Sequence, residues 1–548
     1  MARLNRRRLL QRAAAFTGGI AVAPAFVTNL LGARRARAQT AGGGPAPRFA
    51  EGTVFHDRNN NGVRDAGEEG IPGVSVSNGR EVVRTDRNGR WRLPVDDDTI
   101  LFVVKPGGWM TPVTGQNLPR FFYIHKPNGS PALKFPGVAP TGPLPASVDF
   151  PLRPRKEPDR FRVVLWGDPQ PRNQTEIDYI AHDVVEELVG VEAAFGLSLG
   201  DILFDDLSLY DSLNGTMAAV GLPWYNVLGN HDMNYDAKDD THSGETFKRV
   251  YGPTYYAFDY GQVHFVVLEN VVWHGLPADG ERPRANYTAG LGAKQLEWLK
   301  NDLALVPKDR LVVVSMHIPL DDKSLPAGER QALFALLQDR RNTFSLSAHT
   351  HFQEHRFFTD KDGWRGRTPH HHLNHVTACG SWWSGAPDER GIPHTTMRCG
   401  APNGYSFLNF DGNRYTVEFK AARRPASYQA HIHAPEQVAA ADAASAEVLV
   451  NVFAGSERSV VEMRLGERGP WVPLARVARE DPYYRALKEA EQGPNPPPGR
   501  KLPQIIESPH LWAAKLPADP PRGTHLLQVR TTDMFGKTHT DQRILRVV

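Results

Sequence analysis

The chain has 548 residues, with 64 Lys plus Arg against 61 Asp plus Glu and a formal net charge of +3. That length exceeds one ordinary core and predicts three or four domains. The first 38 residues hold eight of the arginines and no acid, so +3 less those eight leaves about −5 for the remainder, which argues against electrostatic steering of nucleic acid.

At the amino terminus, Asn5-Arg6-Arg7-Arg8-Leu9-Leu10 carries a twin arginine. A mostly apolar stretch from Ala13 to Val27 comes next, then a small-x-small site, Ala36-Arg37-Ala38. This order predicts a cleavable bacterial signal peptide over residues 1–38, read by the twin-arginine export route. The apolar part is interrupted by Gly18, Gly19 and Pro24 and falls short of the ~20 residues that span a bilayer. An uncleaved anchor is the alternative. No other stretch is long and apolar enough, so the mature chain is expected to lack an integral membrane segment and to work in the periplasm or outside the cell.

A first module is expected over residues 48–153. Within it, Asp57-Arg58-Asn59-Asn60-Asn61-Gly62-Val63-Arg64-Asp65-Ala66-Gly67-Glu68 fits a twelve-residue calcium loop at every ligand position. Asp57, Asn59, Asn61, Asp65 and Glu68 offer side-chain oxygens, Val63 its carbonyl, and Gly62 the sharp turn. The competing reading is an Asn/Asp-rich turn that holds no ion. The flanks are strand-like, Gly52 to Phe55 before and Ile71 to Val76 after. Together with Thr85-Asp86-Arg87-Asn88-Gly89-Arg90-Trp91 the segment resembles the B-type repeats of Gram-positive surface proteins, which implies a β-sandwich with structural calcium. A Pro/Arg/Lys-rich stretch from Pro151 to Pro158 separates this module from the next domain.

Residues 159–422 carry five short polar segments: Gly167-Asp168-Pro169-Gln170, Gly200-Asp201, Gly229-Asn230-His231-Asp232, Met316-His317 and Ala348-His349-Thr350-His351. Each comes after a short apolar run that reads as a buried strand: Val163 to Leu165, Phe195 to Leu199, Trp224 to Leu228, Leu311 to Ser315 and Thr343 to Ser347. Polar residues at the carboxyl ends of strands are where open α/β sheets gather their chemistry. Asp, Asn and His together supply the mixed oxygen and nitrogen ligands suited to divalent Mn, Fe or Zn. A carboxylate shared by two ions would hold them about 3.5–4 Å apart, the spacing that clamps a phosphoryl group.

The series resembles the calcineurin-like metallophosphoesterases, whose signature is D-x-H, GD, GNH[DE], a lone His and GH-x-H; the match also takes in Gly252-Pro253-Thr254-Tyr255-Tyr256. The resemblance implies a central αββα sandwich and two divalent metal ions. By position, Asp168, Asp201 and His351 would hold the first ion and Asp201, Asn230, His317 and His349 the second. His231 would face the leaving-group oxygen as general acid. Three departures stand out. Gln170 takes the place of a His, putting an amide oxygen where the first ion expects an imidazole. Ala348 replaces a Gly. The Asp usually three residues after the GD aspartate falls on Phe204, leaving Asp205, with Asp206 as alternative, to orient His231.

The expected chemistry is hydrolysis of phosphate mono- or diesters by a metal-bridging hydroxide, with no organic cofactor. The partner would be a small phosphate-ester substrate. Two other classes compete: a non-catalytic binding protein on the same scaffold, supported only by Gln170, and a surface or adhesion protein, suggested by the outer modules. Those modules equally suit a hydrolase associated with the cell envelope.

Ile177, Ile180, Val184, Val185 and Leu188 recur at helical spacing, as do Leu296, Leu299 and Leu303, and predict packing helices. The run His370-His371-His372-Leu373-Asn374-His375 is expected to lead into a strand at Val376 to Ala378 rather than to bind metal. Cys379 and Cys399 either pair in an oxidising compartment or stay buried as thiols. Trp382, Trp383, Asn403 and Tyr405 lie beyond the last metal motif, where either a substrate-contacting wall or core packing is expected. The Ala-rich stretch from Val438 to Ala446 reads as a linker or short helix, and residues 430–548 as a fibronectin-like β-sandwich interrupted by an exposed, proline-rich excursion from Asp481 to Pro503. The architecture is thus multidomain, α/β flanked by two all-β modules.

Overall fold

The computed structural model describes residues 48–276, 286–321 and 324–548. The expected export signal lies outside them. The central domain is built on two sheets. One runs Trp224–Asn226, Phe195–Ser198, Arg160–Trp166, Gly404–Asp411 and Arg414–Ala421, its first three strands parallel. The other runs Tyr256–Tyr260, Val263–Val267, Leu311–Ser315, Thr343–Ser347, His370–Asn374 and Glu354–Phe358, its middle four strands parallel. Parallel strands are covered on both faces, so they are written as continuous apolar runs, and every residue of Leu311–Ser315 is buried.

Aromatic rings fill the space between the sheets. Phe195 meets Phe258 and Phe265 edge-on at 5.2 and 5.1 Å, and Phe161 stacks on Phe410 at 4.7 Å. Each such buried ring stabilises the sandwich by about 1.5–3 kcal/mol. Helices cover the outer faces. Ile177, Ile180, Val184, Val185 and Leu188 all point inward from helix Gln174–Ile180 and its π-turn continuation to Leu188. In helix Ala293–Leu303, Leu299 and Leu303 are buried and Leu296 is partly so. The layers are αββα.

The N-terminal module is a sandwich of two four-stranded sheets. Its core is continuous with that of the central domain. Phe121 lies 5.0 Å from Tyr256, and the Asp259 N–H donates to the Lys105 carbonyl at 2.8 Å. The Pro151–Pro158 stretch, expected as a separator, instead clasps the two parts. Phe150–Pro154 is a strand beside Arg48–His56, and Glu157 bonds Lys105 at 2.7 Å and the Gly261 N–H at 3.0 Å.

The C-terminal module is a four-stranded and a five-stranded sheet around a core of its own. The Ala-rich stretch forms the 3-10 helix Ala440–Ser445. The excursion from Asp481 is not a loose loop: helix Pro482–Ala490 opens it, and the segment beyond folds back onto the central domain, where Gly385 N–H donates to the Arg500 carbonyl at 2.8 Å. Proline and charge mark it as non-strand but say nothing of the surface it lies against. No helix among the described residues is long and apolar enough to cross a membrane.

Candidate active site

The five strands expected to carry chemistry all end at one edge of the sandwich, and the chain turns sharply there. Among the described residues twelve non-glycine residues have positive φ, and eight of them lie in this cluster: Asp168, Gln170, Asp201, Asp205, His349, His351, Trp382 and Trp383. Such backbone costs about 1–3 kcal/mol per residue and persists only where surrounding bonds over-determine it. They do here. The Gln170 N–H donates to the Asp201 carbonyl at 3.2 Å, the His349 N–H to Asp168 Oδ2 at 3.0 Å and the His231 N–H to Asp201 Oδ1 at 2.8 Å. Glycine is required at Gly229, where a Cβ would sit 2.0 Å from the Asp201 nitrogen. Ala348 is tolerated because its methyl fills the space beside Gly167.

The side chains fall into two groups sharing Asp201. In the first, Asp168 Oδ1 and His351 Nε2 face each other at 3.7 Å, and neither has a hydrogen-bond partner although both are buried. In the second, ligand atoms of Asp201, His317 and His349 lie within 4.8 Å of one another. His317 Nε2 is 3.2 Å from Asp201 Oδ1 and 3.0 Å from Asn230 Oδ1. The tautomers are set from behind: His317 Nδ1 donates to the Leu199 carbonyl at 2.8 Å and His351 Nδ1 to the Gly380 carbonyl at 2.6 Å. Both therefore turn Nε2 into the site, the usual arrangement for metal-binding imidazoles.

The electrostatics suit cations. Burial, with the neighbouring Asp201 charge, pushes the Asp168 carboxyl well above its usual range. Burial acts the same way on Asp201, but the imidazoles of His317 and His231 more than offset it and hold Asp201 well below. Burial opposes charge on His317, which Asp201 nonetheless pushes up to about 9. Burial, with His317 adding to it at His349, leaves His349 and His351 near 3, so both are neutral and able to donate nitrogen lone pairs. Neutral imidazoles, unpartnered buried donors and mixed carboxylate and amide oxygens together fit two divalent ions.

Gln170 reaches the site differently from expectation. Its amide nitrogen donates to Asp201 Oδ2 and its carbonyl oxygen lies 4.0 Å from the Cys379 thiol, so here it braces the shared carboxylate. His231 stands at the rim. Its Nδ1 is 2.6 Å from Asp205 Oδ1, which decides between the two candidate partners, since Asp206 caps the turn at Ser208. Phe204 stacks on the His231 ring at 4.2 Å.

Two supporting residues stand behind the ligands, and only the second, Asn270, lies outside the motifs. Asp232 is buried and accepts from Ile202 N–H, Leu203 N–H and Gly229 N–H at 3.1, 3.1 and 2.9 Å, tying two metal loops together; burial lifts it to about 7. Asn270 accepts from His317 N–H and Ile318 N–H at 3.2 and 3.0 Å. The signal in the sequence is its position, a polar residue just after the buried strand Val263–Val267.

Of the four residues expected to wall the substrate, only Trp382 touches a ligand residue, stacking on His351 at 3.7 Å. Trp383 is buried with its indole N–H on the Pro169 carbonyl at 2.9 Å. Asn403 donates to Asp183 at 2.6 Å and the Tyr405 hydroxyl to Glu187 at 3.3 Å, both on the covering helix. The histidine run is itself the strand, His370–Asn374, not the lead-in to one. His370 and His372 are bridged by Ser345 at 2.8 Å each, and His371 pairs with His355 at 2.9 Å. Cys379 and Cys399 are free, buried thiols, Cys399 packing in a separate small cluster with Phe419 and Phe453.

The N-terminal loop is held by bonds among its own Asn, Asp and Glu side chains and backbone. Asp57 and Glu68 are buried. Asp57 accepts from Gly62 N–H at 3.0 Å, Glu68 from Arg58 N–H and Asp65 N–H at 2.8 and 3.0 Å, and the Asn59 and Asn61 amides both donate to Asp65 Oδ2, at 2.7 and 2.8 Å.

Three family descriptions match the chain in tandem: N terminal of calcineurin-like phosphoesterase at residues 58–136, calcineurin-like phosphoesterase at 161–353 and C terminal of calcineurin-like phosphoesterase at 372–539. Among solved structures, a purple acid phosphatase, PPD1, from yellow lupin (Lupinus luteus) seeds is similar at 13% identity, with 68% of this chain and 71% of that chain covered and a TM-score of 0.36. A 5'-nucleotidase from Candida albicans SC5314 is similar at 12% identity, over 49% of this chain and 52% of that chain, with a TM-score of 0.27. No curated protein matches the chain. With the family's three regions running in order from the first sandwich to the last, the chain belongs to the calcineurin-like phosphoesterase family and is a metal-dependent phosphoester hydrolase.

Proposed function

We propose that this is an exported phosphoesterase acting on small phosphate mono- or diesters, with His231 as general acid and Asp205 holding it in place. The observation that carries the reading is Asp201, which lies between two ligand groups: Asp168 and His351 on one side, Asn230, His317 and His349 on the other. Two divalent ions, Mn, Fe or Zn by ligand type, would supply Lewis acidity toward phosphoryl oxygens and acidify water. The protein's own part is positioning. Asp205 accepts from the Nδ1 side of His231, so the opposite nitrogen, Nε2, can carry a proton to a departing alkoxide. The buried Asp168 and Asp201 cannot drift, because backbone N–H groups of His349 and His231 hold them. Gln170, the one feature favouring a non-catalytic scaffold, leaves every other ligand residue in place.

The loop from Asp57 to Glu68 is proposed to hold a structural calcium ion, a reading that rests on the ligand spacing of the sequence. Export by the twin-arginine route to the periplasm or beyond is supported by residues 1–38 of the sequence, and association of the mature protein with the cell envelope by its two outer β modules.

The test is metal content together with initial rates on phenyl phosphate and bis(p-nitrophenyl) phosphate in Mn, Zn, Fe, Co and Mg. Asp201→Asn should lose metal and turnover together. Turnover that survives chelation, or an Asp201→Asn variant retaining both ions, would overturn the assignment.

A further inference from the structure

The excursion of the C-terminal module brings an arginine to the rim of the metal site. Asp481 Oδ1 caps helix Pro482–Ala490 by accepting from Tyr484 N–H at 2.8 Å, and the Tyr484 hydroxyl bonds the Pro503 carbonyl at 2.9 Å. Arg398 reaches across to the Gln504 carbonyl at 2.9 Å. These bonds, with Gly385 N–H on the Arg500 carbonyl, fix Arg500. Its Nη1 donates to the Trp382 carbonyl at 2.8 Å and its Nη2 to Glu176 at 3.1 Å. Arg172 arrives from the other side, with Nη1 on the same carbonyl at 3.0 Å and on Glu176 at 3.4 Å.

Two guanidiniums thus converge on one carbonyl and one carboxylate. One positive charge is left uncompensated, and the like charges repel each other most where water is scarce. Arg172 is only 23% exposed, whereas Arg500 at 45% keeps donors open to solvent. Both touch groups that line the centre. The Trp382 indole covers His351, and Phe204 is sandwiched between the Arg172 guanidinium at 4.0 Å and the His231 ring at 4.2 Å.

We propose that Arg172 and Arg500 receive a second anionic group carried on the leaving part of the substrate, so that the enzyme prefers phosphoesters whose alcohol is itself an anion. This rests on the reading of His231 as the residue facing the leaving group: that side of His231 leads over Phe204 to the guanidiniums. The planar fork of arginine suits a carboxylate or a phosphate equally. The Arg500 half of the pair comes from the C-terminal module, which gives that module a part in specificity.

The test is calorimetric binding of three non-hydrolysable probes to the manganese-loaded full chain: benzylphosphonate, 4-carboxybenzylphosphonate and 4-phosphonobenzylphosphonate. At least one charged probe should bind about tenfold more tightly than the parent, and which one does so distinguishes carboxylate from phosphate. Arg500→Gln should bring that ratio close to one, while Arg500→Lys, which keeps the charge, should retain part of it. Equal binding of all three probes to the wild type, or a preference that survives in Arg500→Gln, would overturn the proposal. Turnover plays no part in this measurement, so a catalytically silent protein would count against the phosphoesterase reading and not against the rim.

Discussion

His264 offers a perturbation whose size can be worked out from the structure. It is buried between two carboxylates, with Nδ1 at 2.7 Å from Asp259 and Nε2 at 2.8 Å from Asp302. Arg310 adds a contact to Asp259 at 2.7 Å. The three residues sit on adjacent strands Tyr256–Tyr260 and Val263–Val267 and on helix Ala293–Leu303, so the imidazole pins a hairpin to its covering helix. Burial opposes the imidazolium, but the two carboxylates more than offset it and push His264 from 6.5 up to about 9. At about 1.36 kcal/mol per pH unit, that gap is worth about 3 kcal/mol. Because the folded value lies above the unfolded one, the contribution is complete below about pH 6.5 and is lost as pH rises through about 9. Glutamine in this place can bond one carboxylate but carries no charge to match two. In His264→Gln, urea unfolding tracked by tryptophan fluorescence should show a deficit that shrinks by about 3 kcal/mol between pH 6 and pH 10. The N-terminal module and central domain share one core and should unfold together in this assay. A deficit of constant size across that range would show that His264 acts by packing and that the charge reasoning is wrong.

The site and the modules lead to other expectations. His231→Ala should keep close to two metals while turnover falls about 10²–10⁴-fold, the loss being largest for alkyl phosphates and smallest for p-nitrophenyl phosphate; an equal loss across leaving groups would remove His231 from the acid role. Glu68→Gln should abolish stabilisation by calcium in thermal melts yet largely spare turnover, and a collapse of catalysis in a folded protein would place the loop in the active site. Lys in place of both Arg6 and Arg7 should strand the precursor in the cytoplasm, as read by cell fractionation, because a receptor reads the pair and not its bulk charge; normal export would point to the general secretory route.

How far a feature is legible in the sequence depends on the range over which it is determined. Leu311 to Ser315 is apolar, β-branched and short, and such a run has few alternatives to a buried parallel strand, so its end and the ligand beyond it are legible. Glycine at 229 and the carboxylate at 201 sit far apart in sequence, but their motifs encode a local turn, and the turn is where they meet. The histidine run misleads because histidine reads as polar: buried and neutral, bonded to Ser345 and Ser347 from the next strand, it serves as a strand residue, and those partners lie some 25 positions away. Asn403 and Tyr405 follow the last metal motif only in chain order, and their partners Asp183 and Glu187 belong to a helix more than 200 positions earlier. The excursion from Asp481 is the least legible of all, because its composition describes only what it avoids. Its role depends on a surface assembled from residues near 172, 382 and 398, and that surface exists only once the two central sheets have packed. A specificity element can therefore sit in the part of a chain where local pattern is weakest, since a loop free of sheet hydrogen bonding can be shaped by whatever it must touch.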